Sequence, residues 1–189
     1  MLVVEHLAKN FGTLKAVQDL SFEIKDGEIL GLVGQNGSGK TTTFRMLLGL
    51  MQPTAGKVLW NGEKIGEKQK DLIGYLPEER GLYPKETIEQ QVMYFGKLRG
   101  KAPREIKEKL DYWMDHLQVK GKKNDKIKSL SKGNQQKVQL ITTLIHEPKL
   151  VILDEPFSGL DPVNAQIMQD AIIALRKQGS CVIFSSHNM

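Results

Sequence analysis

Apolar and polar residues alternate along two stretches near the amino terminus, residues 2–7 and residues 16–25. This alternation is typical of strands with one solvated face, so it predicts part of an antiparallel sheet. Residues 28–33 are mostly apolar and predict a buried strand, and residues 42–49 predict a helix that ends at a glycine. A further short strand is predicted at residues 56–62, which close with an Asn-Gly turn.

The pattern becomes helical between residue 84 and about residue 128. A helix is predicted from Pro103, because proline is favoured in the first turn. Its apolar face is formed by Ile106, Leu110, Trp113, Met114 and Leu117. Such a face predicts packing against a core or a subdomain rather than a cofactor site. Another helix, with apolar residues on one side, is predicted after Ser131.

Length and composition are those of a single folded domain, with 189 residues of which 40% are hydrophobic. The 27 basic and 22 acidic side chains give a net charge of +5, which suits phosphate ligands, an acidic surface or nucleic acid equally. The single cysteine, Cys181, lies in an apolar run, so a core position and a reducing cytosol are expected. No signal peptide and no apolar run of ~18 residues is present, so we expect the chain to reach a membrane only through a partner.

A phosphate-binding loop is predicted at residues 34–41, which match the pattern G-x-x-x-x-G-K-[ST] between a predicted strand and a predicted helix. Glycines in such a loop let successive backbone N–H groups face phosphate oxygens. Lys40 supplies a positive charge, the hydroxyl of Thr41 is a ligand for Mg²⁺, and the helix start favours the same anion. The nucleotide-binding residues predicted here are Gly34, Gln35, Asn36, Gly37, Ser38, Gly39, Lys40, Thr41 and Thr42.

Two acidic residues, Asp154 and Glu155, follow the continuously apolar stretch 150–153. Such a stretch predicts a strand buried on both faces of a parallel sheet, with the acids at its carboxyl end. Either acid could be a helix cap or a loop residue. With a phosphate loop upstream, the favoured interpretation is that Asp154 holds Mg²⁺ and Glu155 orients and deprotonates the attacking water.

Three further residues have both a structural and a functional interpretation. Ser131 is a good helix N-cap, and Asp161 is another, with Pro162 in the first helical position. Capping does not exclude a role at a nucleotide. His187 follows a predicted strand that ends at Phe184, and by itself it carries little functional signal.

Taken in order, these motifs resemble the nucleotide-binding domain of ABC transporters over essentially the whole chain. Residues 34–41 are similar to the Walker A loop and residues 150–155 to the Walker B strand with its catalytic glutamate. Residues 158–161 resemble the D-loop, and His187 stands where the family has its switch histidine. Phe11 stands where the family places an aromatic ring against adenine, although an aromatic after a first strand also suits a core.

The resemblance implies an α/β fold: a P-loop core with a mainly parallel sheet, an N-terminal antiparallel β subdomain and an inserted helical subdomain. The implied β subdomain and core are residues 1–84 and 145–189, and the helical subdomain is residues 85–144. Ser131 and Gly133 would contact the γ-phosphate held by a second copy, and Asp161 would join the nucleotide site. The working unit would be a head-to-tail dimer that binds two ATP molecules with Mg²⁺.

The chain departs from the family pattern at two places. The usual L-S-G-G-Q signature has Lys132 and Asn134 in place of a glycine and the glutamine. Glu78 replaces a glutamine near the γ-phosphate, and we expect it to reach the metal shell, the alternative being that it stays in solvent or pairs with Arg80. The sequence of residues 74–84 resembles that of sodium- and drug-extrusion ATPases. This resemblance favours export.

The leading hypothesis is a cytoplasmic ATP-hydrolysing subunit, held at the membrane face by a transporter subunit on a separate chain. The alternative is a soluble ABC-type ATPase that acts on DNA or ribosomes, but residues 85–130 lack the sustained heptads of a long coiled coil. Nucleic acid is therefore not the expected partner. The chain stops at Met189, where family members usually continue, so a truncated piece is expected and a binding module without turnover stays open.

Overall fold

Two four-stranded sheets form the framework of the described part of the chain. The computed structural model describes residues 1–79 and 81–187, apart from the side chain of Glu67. One sheet is antiparallel and the other is parallel, as the predicted α/β fold requires. The fold class is thus confirmed.

The antiparallel sheet is built from alternating sequence near the amino terminus. Its strands are β1 (Leu2–Phe11), β2 (Leu14–Ile24), β4 (Ala55–Trp60) and β5 (Glu63–Lys64), in the order β2-β1-β4-β5. The alternate residues Leu2, Val4 and Leu7 are buried, whereas the intervening positions are more exposed. The shift of parity between Val4 and Leu7 coincides with a bulge, where His6 has a φ of 48°.

The parallel sheet carries the apolar strands. It contains β3 (Ile29–Val33), β6 (Ile73–Leu76), β7 (Leu150–Leu153) and β8 (Cys181–Ser186), in the order β3-β8-β7-β6. Every residue of β7 is 0% exposed, because Leu150 and Ile152 face one hydrophobic core and Val151 and Leu153 face the other. The carboxyl ends of these strands meet at one edge, where ligands of open α/β sheets bind.

The strand β6 was missed in the sequence because it is short and contains Gly74. A Cβ atom at Gly74 would lie 2.8 Å from both the carbonyl oxygen of Thr143 and Cγ of Pro148. The glycine therefore reflects close packing against a helix, which no local pattern reveals.

The described residues form six α-helices. They are α1 (Lys40–Leu47), α2 (Glu67–Lys70), α3 (Ile88–Leu98), α4 (Pro103–His116), α5 (Lys132–Leu144) and α6 (Pro162–Lys177), with a short 3₁₀ turn at Ile127–Ser129. The apolar face predicted on α4 packs into a core shared with α3, α5 and α6. Helices α3, α4 and α5 lie within residues 85–144, although the division into subdomains stays a prediction.

Helix α5 covers the outer edge of β6, the last strand of the parallel sheet. Nε2 of Gln139 donates hydrogen bonds to the carbonyl oxygens of Pro77 at 3.2 Å and Glu79 at 3.4 Å. Nε2 of His146 lies 3.1 Å from the carbonyl oxygen of Ile73. Side chains of α5 and of the residues just after it thus satisfy carbonyl groups of β6 and of the segment that follows it, which would otherwise be unpaired.

Candidate nucleotide-binding site

A cavity of about 330 Å³ lies beside the amino end of α1, at the carboxyl end of β7. Its lining residues are Phe11, Leu14, Ala16, Asn36, Gly37, Ser38, Gly39, Lys40, Thr41, Thr42, Glu78, Asp154 and Glu155. Most of the site residues expected from the sequence therefore share one cavity. Leu14 and Ala16 are additional, and both lie on β2.

The loop before α1 requires glycine at two positions. Gly39 caps the helix with a φ of 90°, and a Cβ there would lie 2.3 Å from the carbonyl oxygen of Ala16. Gly37 also has a positive φ of 83°. These conformations are readily available to glycine and turn the loop into the helix start, where free N–H groups attract anions.

The ammonium group of Lys40 is held inside this loop. Its Nζ donates to the carbonyl oxygens of Gly34 at 2.6 Å and Gln35 at 3.3 Å, and it lies 3.4 Å from Oε1 of Glu155. The side chain is only 11% exposed. Gly34 and Gln35 thus position the lysine through their carbonyl groups rather than by lining the cavity.

A chain of hydrogen bonds links the loop to the two acids. The hydroxyl of Thr41 donates to Oδ2 of Asp154 at 2.8 Å, and the hydroxyl of Ser185 donates to Oδ1 of the same carboxylate at 2.7 Å. The Ser185 oxygen in turn accepts from the backbone N–H of Glu155 at 2.8 Å. Ser185 therefore fixes both acids, and it is a site residue that the sequence interpretation missed.

The adjacent oxygen atoms of Thr41 and Asp154 suit Mg²⁺, which prefers hard oxygen ligands. Across residues 1–79 and 81–187, no group of three or more His, Cys, Asp or Glu side chains could hold a metal. This arrangement fits a magnesium ion that shares its ligands with substrate phosphates, as Mg²⁺ commonly does.

Glu155 is buried and strained at the cavity floor. Its φ is 49°, a left-handed conformation that is uncommon for a residue with a side chain. Oε2 accepts hydrogen bonds from the backbone N–H of His187 at 3.3 Å and from its Nδ1 at 2.7 Å. Oε1 is buried without a hydrogen-bond partner among the described residues, since Lys40 approaches it at 3.4 Å outside hydrogen-bond geometry. That oxygen is thus paired in charge with Lys40 but accepts no hydrogen bond from a described residue.

Ser131, Gly133 and Asp161 do not line the cavity. Ser131 caps α5 by accepting from the N–H of Asn134 at 3.3 Å, and Asp161 caps α6 by accepting from the N–H of Asn164 at 3.0 Å. Both predicted caps are confirmed. A Cβ at Gly133 would lie 3.0 Å from Nδ2 of Asn164, so the two helix starts are neighbours. Contact of these residues with a phosphate stays a prediction.

Phe11 and Glu78 line the cavity with exposed side chains. The ring of Phe11 is 46% exposed, and Nζ of Lys9 lies 5.4 Å from its centroid. Glu78 is exposed as well. Arg80, the alternative partner of Glu78, lies outside the described residues, so neither the metal role nor the ion pair of Glu78 is tested.

The profile of the ABC transporter family matches residues 17–158, and the chain belongs to this family. It is 47% identical over 189 residues to the ABC transporter ATP-binding protein YhaQ of Bacillus subtilis. The matched region is 100% of this chain but only 63% of YhaQ. It is 33% identical over 195 residues to the lipopolysaccharide export system ATP-binding protein LptB of Haemophilus influenzae, covering 100% of the chain and 81% of LptB.

A solved structure of similar fold is cbiO1 from Clostridium perfringens, described as part of the ABC transporter complex cbiONQ. It has a TM-score of 0.86 and 29% sequence identity, over 99% of this chain and 78% of that one. ATP-binding subunits of this family are ATPases. In the part of the chain that the structure describes, no helix is long and apolar enough to cross a bilayer.

Proposed function

We propose that this protein binds ATP with Mg²⁺ and hydrolyses it as the ATP-binding subunit of an ABC transporter. The observation that carries the proposal is the position of Glu155. Its carboxylate is buried, held by His187 and 3.4 Å from the lysine of the phosphate loop, with one oxygen left without a hydrogen-bond partner among the described residues.

The residues at the cavity have different roles in hydrolysis. The N–H groups of the loop and the ammonium of Lys40 bind the phosphates, and the ammonium neutralises charge that develops on the γ-phosphate. Glu155 accepts the proton of a water aligned for attack, and His187 holds the carboxylate in place. Thr41 and Asp154 would hold Mg²⁺, which supplies charge neutralisation and orientation of the phosphates when bound.

The adenine is proposed to lie at the cavity rim. Phe11 and Leu14 are 46% and 65% exposed, and such apolar surface beside a phosphate site suits a flat aromatic base. We further propose that Glu78, also at the cavity, reaches the metal shell when ATP is bound. A carboxylate there would be attracted by Mg²⁺ and repelled by a bare phosphate.

The proposed working unit is a head-to-tail dimer. Ser131, Gly133 and Asp161 lie outside the cavity of their own chain but share one surface at the starts of α5 and α6. A second copy that presents its nucleotide to this surface would complete both sites, as a symmetric two-fold interface allows.

A second cavity, of about 320 Å³, supports docking of a membrane subunit on a separate chain. It lies between α3, α5 and the segment after β6, and Gln139 and His146 are among its lining residues. Each of these two residues has a buried polar atom without a partner among the described residues, Oε1 of Gln139 and Nδ1 of His146. Phe95 lines it and packs against the half-exposed rings of Tyr83 and Tyr94. Exposed aromatic surface beside a cavity is typical of an interaction site.

Export at the cytoplasmic face of a membrane is the proposed setting. Export is supported by the sequence of residues 74–84 and by the similarity to a subunit of an export system. The alternative, a soluble ATPase acting on DNA or ribosomes, is less well supported, because the inserted helices α3 and α4 have only 11 and 14 residues.

Phosphate release by the full-length protein tests the proposed activity. We expect turnover to rise more than linearly with protein concentration, and Glu155→Gln to slow it about 10²-fold or more while ATP binding persists. Glu108→Gln, on the exposed face of α4, is the matched control and should turn over normally. Equal rates for Glu155→Gln and the parent would refute the base role.

Copurification tests the proposed partner. We expect Tyr94→Glu to reduce recovery of an integral membrane protein, whereas Tyr112→Glu, a similarly exposed tyrosine on α4, should not. Stimulation of turnover by DNA or ribosomes, with no membrane protein recovered, would favour the alternative.

A further inference from the structure

The amide group of Asn134 has a defined orientation at the start of α5. Its Oδ1 accepts a hydrogen bond from the backbone N–H of Lys120 at 2.9 Å. Because a backbone N–H can only donate, the oxygen of the amide must face Lys120 and the nitrogen must face the other way. That nitrogen, Nδ2, lies 3.1 Å from the hydroxyl oxygen of Ser131.

The hydroxyl of Ser131 therefore accepts two hydrogen bonds. One comes from Nδ2 of Asn134 at 3.1 Å and one from the backbone N–H of the same residue at 3.3 Å. A hydroxyl group has two acceptor lone pairs and one proton, so both lone pairs are occupied and the proton is left to donate. Ser131 is exposed, and no described residue accepts that proton, so it is directed to the surface.

The anchor of this arrangement is rigid. Asn134 is only 9% exposed, and Lys137, one turn further along α5, is 2% exposed. Nζ of Lys137 lies 3.4 Å from the carbonyl oxygen of Gln118, so α5 holds the segment 118–120 at two points. The amide of Asn134 cannot rotate without losing the bond to Lys120.

We propose that Asn134 is a positioning residue that makes the Ser131 hydroxyl a hydrogen-bond donor toward the γ-phosphate bound by a second copy. This inference rests on the dimer of the proposed function. Asn134 acts through Ser131 and does not itself touch the nucleotide. A donor aimed at a phosphate oxygen binds it, whereas a hydroxyl that turned its proton inward would present only lone pairs and repel it.

The substitution Asn134→Asp reverses this geometry with almost no change in shape. One carboxylate oxygen still accepts from Lys120, but the other replaces a donor with an acceptor and takes the proton of Ser131. We expect kcat/KM for ATP to fall about 10- to 100-fold, the factor that corresponds to one hydrogen bond to a charged group. ATP affinity of the isolated protomer's own cavity should not change, because Asn134 does not line it.

A double-mutant cycle in the full-length protein separates positioning from a structural effect or a charge effect. Asn134→Asp should cost nothing further in a Ser131→Ala background, because the hydroxyl it acts through is gone. Asn124→Asp, which adds the same charge at an exposed turn, should turn over normally. If Asn134→Asp does not fold, Asn134→Ala takes its place in the cycle with the same criterion.

The outcomes distinguish this inference from the dimer itself. Slow turnover by Ser131→Ala with normal turnover by Asn134→Asp would overturn the positioning role alone. A loss that is equally large with and without the Ser131 hydroxyl would also overturn it. Normal turnover by Ser131→Ala would contradict the γ-phosphate contact across the dimer, and the positioning role with it.

Discussion

Lowering the pH should destabilise the protein through His146, which lies just after the end of α5 and contacts β6. The side chain is 8% exposed, and its Nε2 lies 3.1 Å from the carbonyl oxygen of Ile73. The pKa of His146 is lowered from 6.5 to about 4, mainly by burial; the hydrogen bond to Ile73 opposes this change, and the charges of Arg99 and Lys101 add to it. The imidazole is therefore neutral in the folded protein at pH 7.

The sign follows from proton binding in the two states. Between pH 6.5 and about 4 the unfolded chain binds a proton at His146 and the folded chain does not, so acid favours unfolding. The difference between the two pKa values of His146 corresponds to roughly 3 kcal/mol of unfolding free energy, at about 1.36 kcal/mol for each pKa unit. Between pH 7 and pH 5 the expected loss is about 2 kcal/mol.

Urea unfolding of the protein at pH 7, 6 and 5 measures this loss. His146→Gln removes the titration while the amide can still donate to the Ile73 carbonyl, so this variant should lose about 2 kcal/mol less than the parent over the same range. His116→Gln, on the exposed end of α4, is the matched control and should keep the parent's pH dependence. If the unfolding free energy falls equally with pH in the parent and in His146→Gln, the argument that burial holds this imidazole neutral is refuted.

Three further predictions concern the nucleotide site. Lys40→Ala should weaken ATP binding about 10- to 100-fold, because a charge-assisted bond to phosphate is lost; titration calorimetry measures it, and an unchanged Kd would contradict the site. Gly39→Ala should lower the unfolding free energy by more than Gly179→Ala, since both have positive φ values but only Gly39 has a carbonyl oxygen 2.3 Å from a new Cβ. Equal losses in urea unfolding would mean that the loop relaxes. Glu78→Gln should leave ATP binding without metal almost unchanged but raise the Mg²⁺ concentration needed for half-maximal binding of a fluorescent ATP analogue; the same midpoint as the parent would exclude Glu78 from the metal shell.

Local spacing in the sequence determined much of this protein. The phosphate loop, the caps at Ser131 and Asp161, and the helix start at Pro103 depend on residues within one or two turns of each other. The uninterrupted apolar run of β7 predicted a strand buried on both faces, and the structure confirms it. These features are readable because the physical cause, a backbone conformation or a hydrophobic period, is itself local.

Tertiary structure alone decided how these pieces act together. Ser185 reaches Asp154 and Glu155 only because β8 pairs with β7 in one register, which places residues about 30 positions apart in contact. The approach of Lys40 to Glu155 likewise depends on the place of α1 beside the sheet. The amide of Asn134 faces Ser131 because Lys120 lies against α5. Such contacts depend on strand register and helix packing, which are set by the burial of the whole core and leave no periodic signal near the residues that they join.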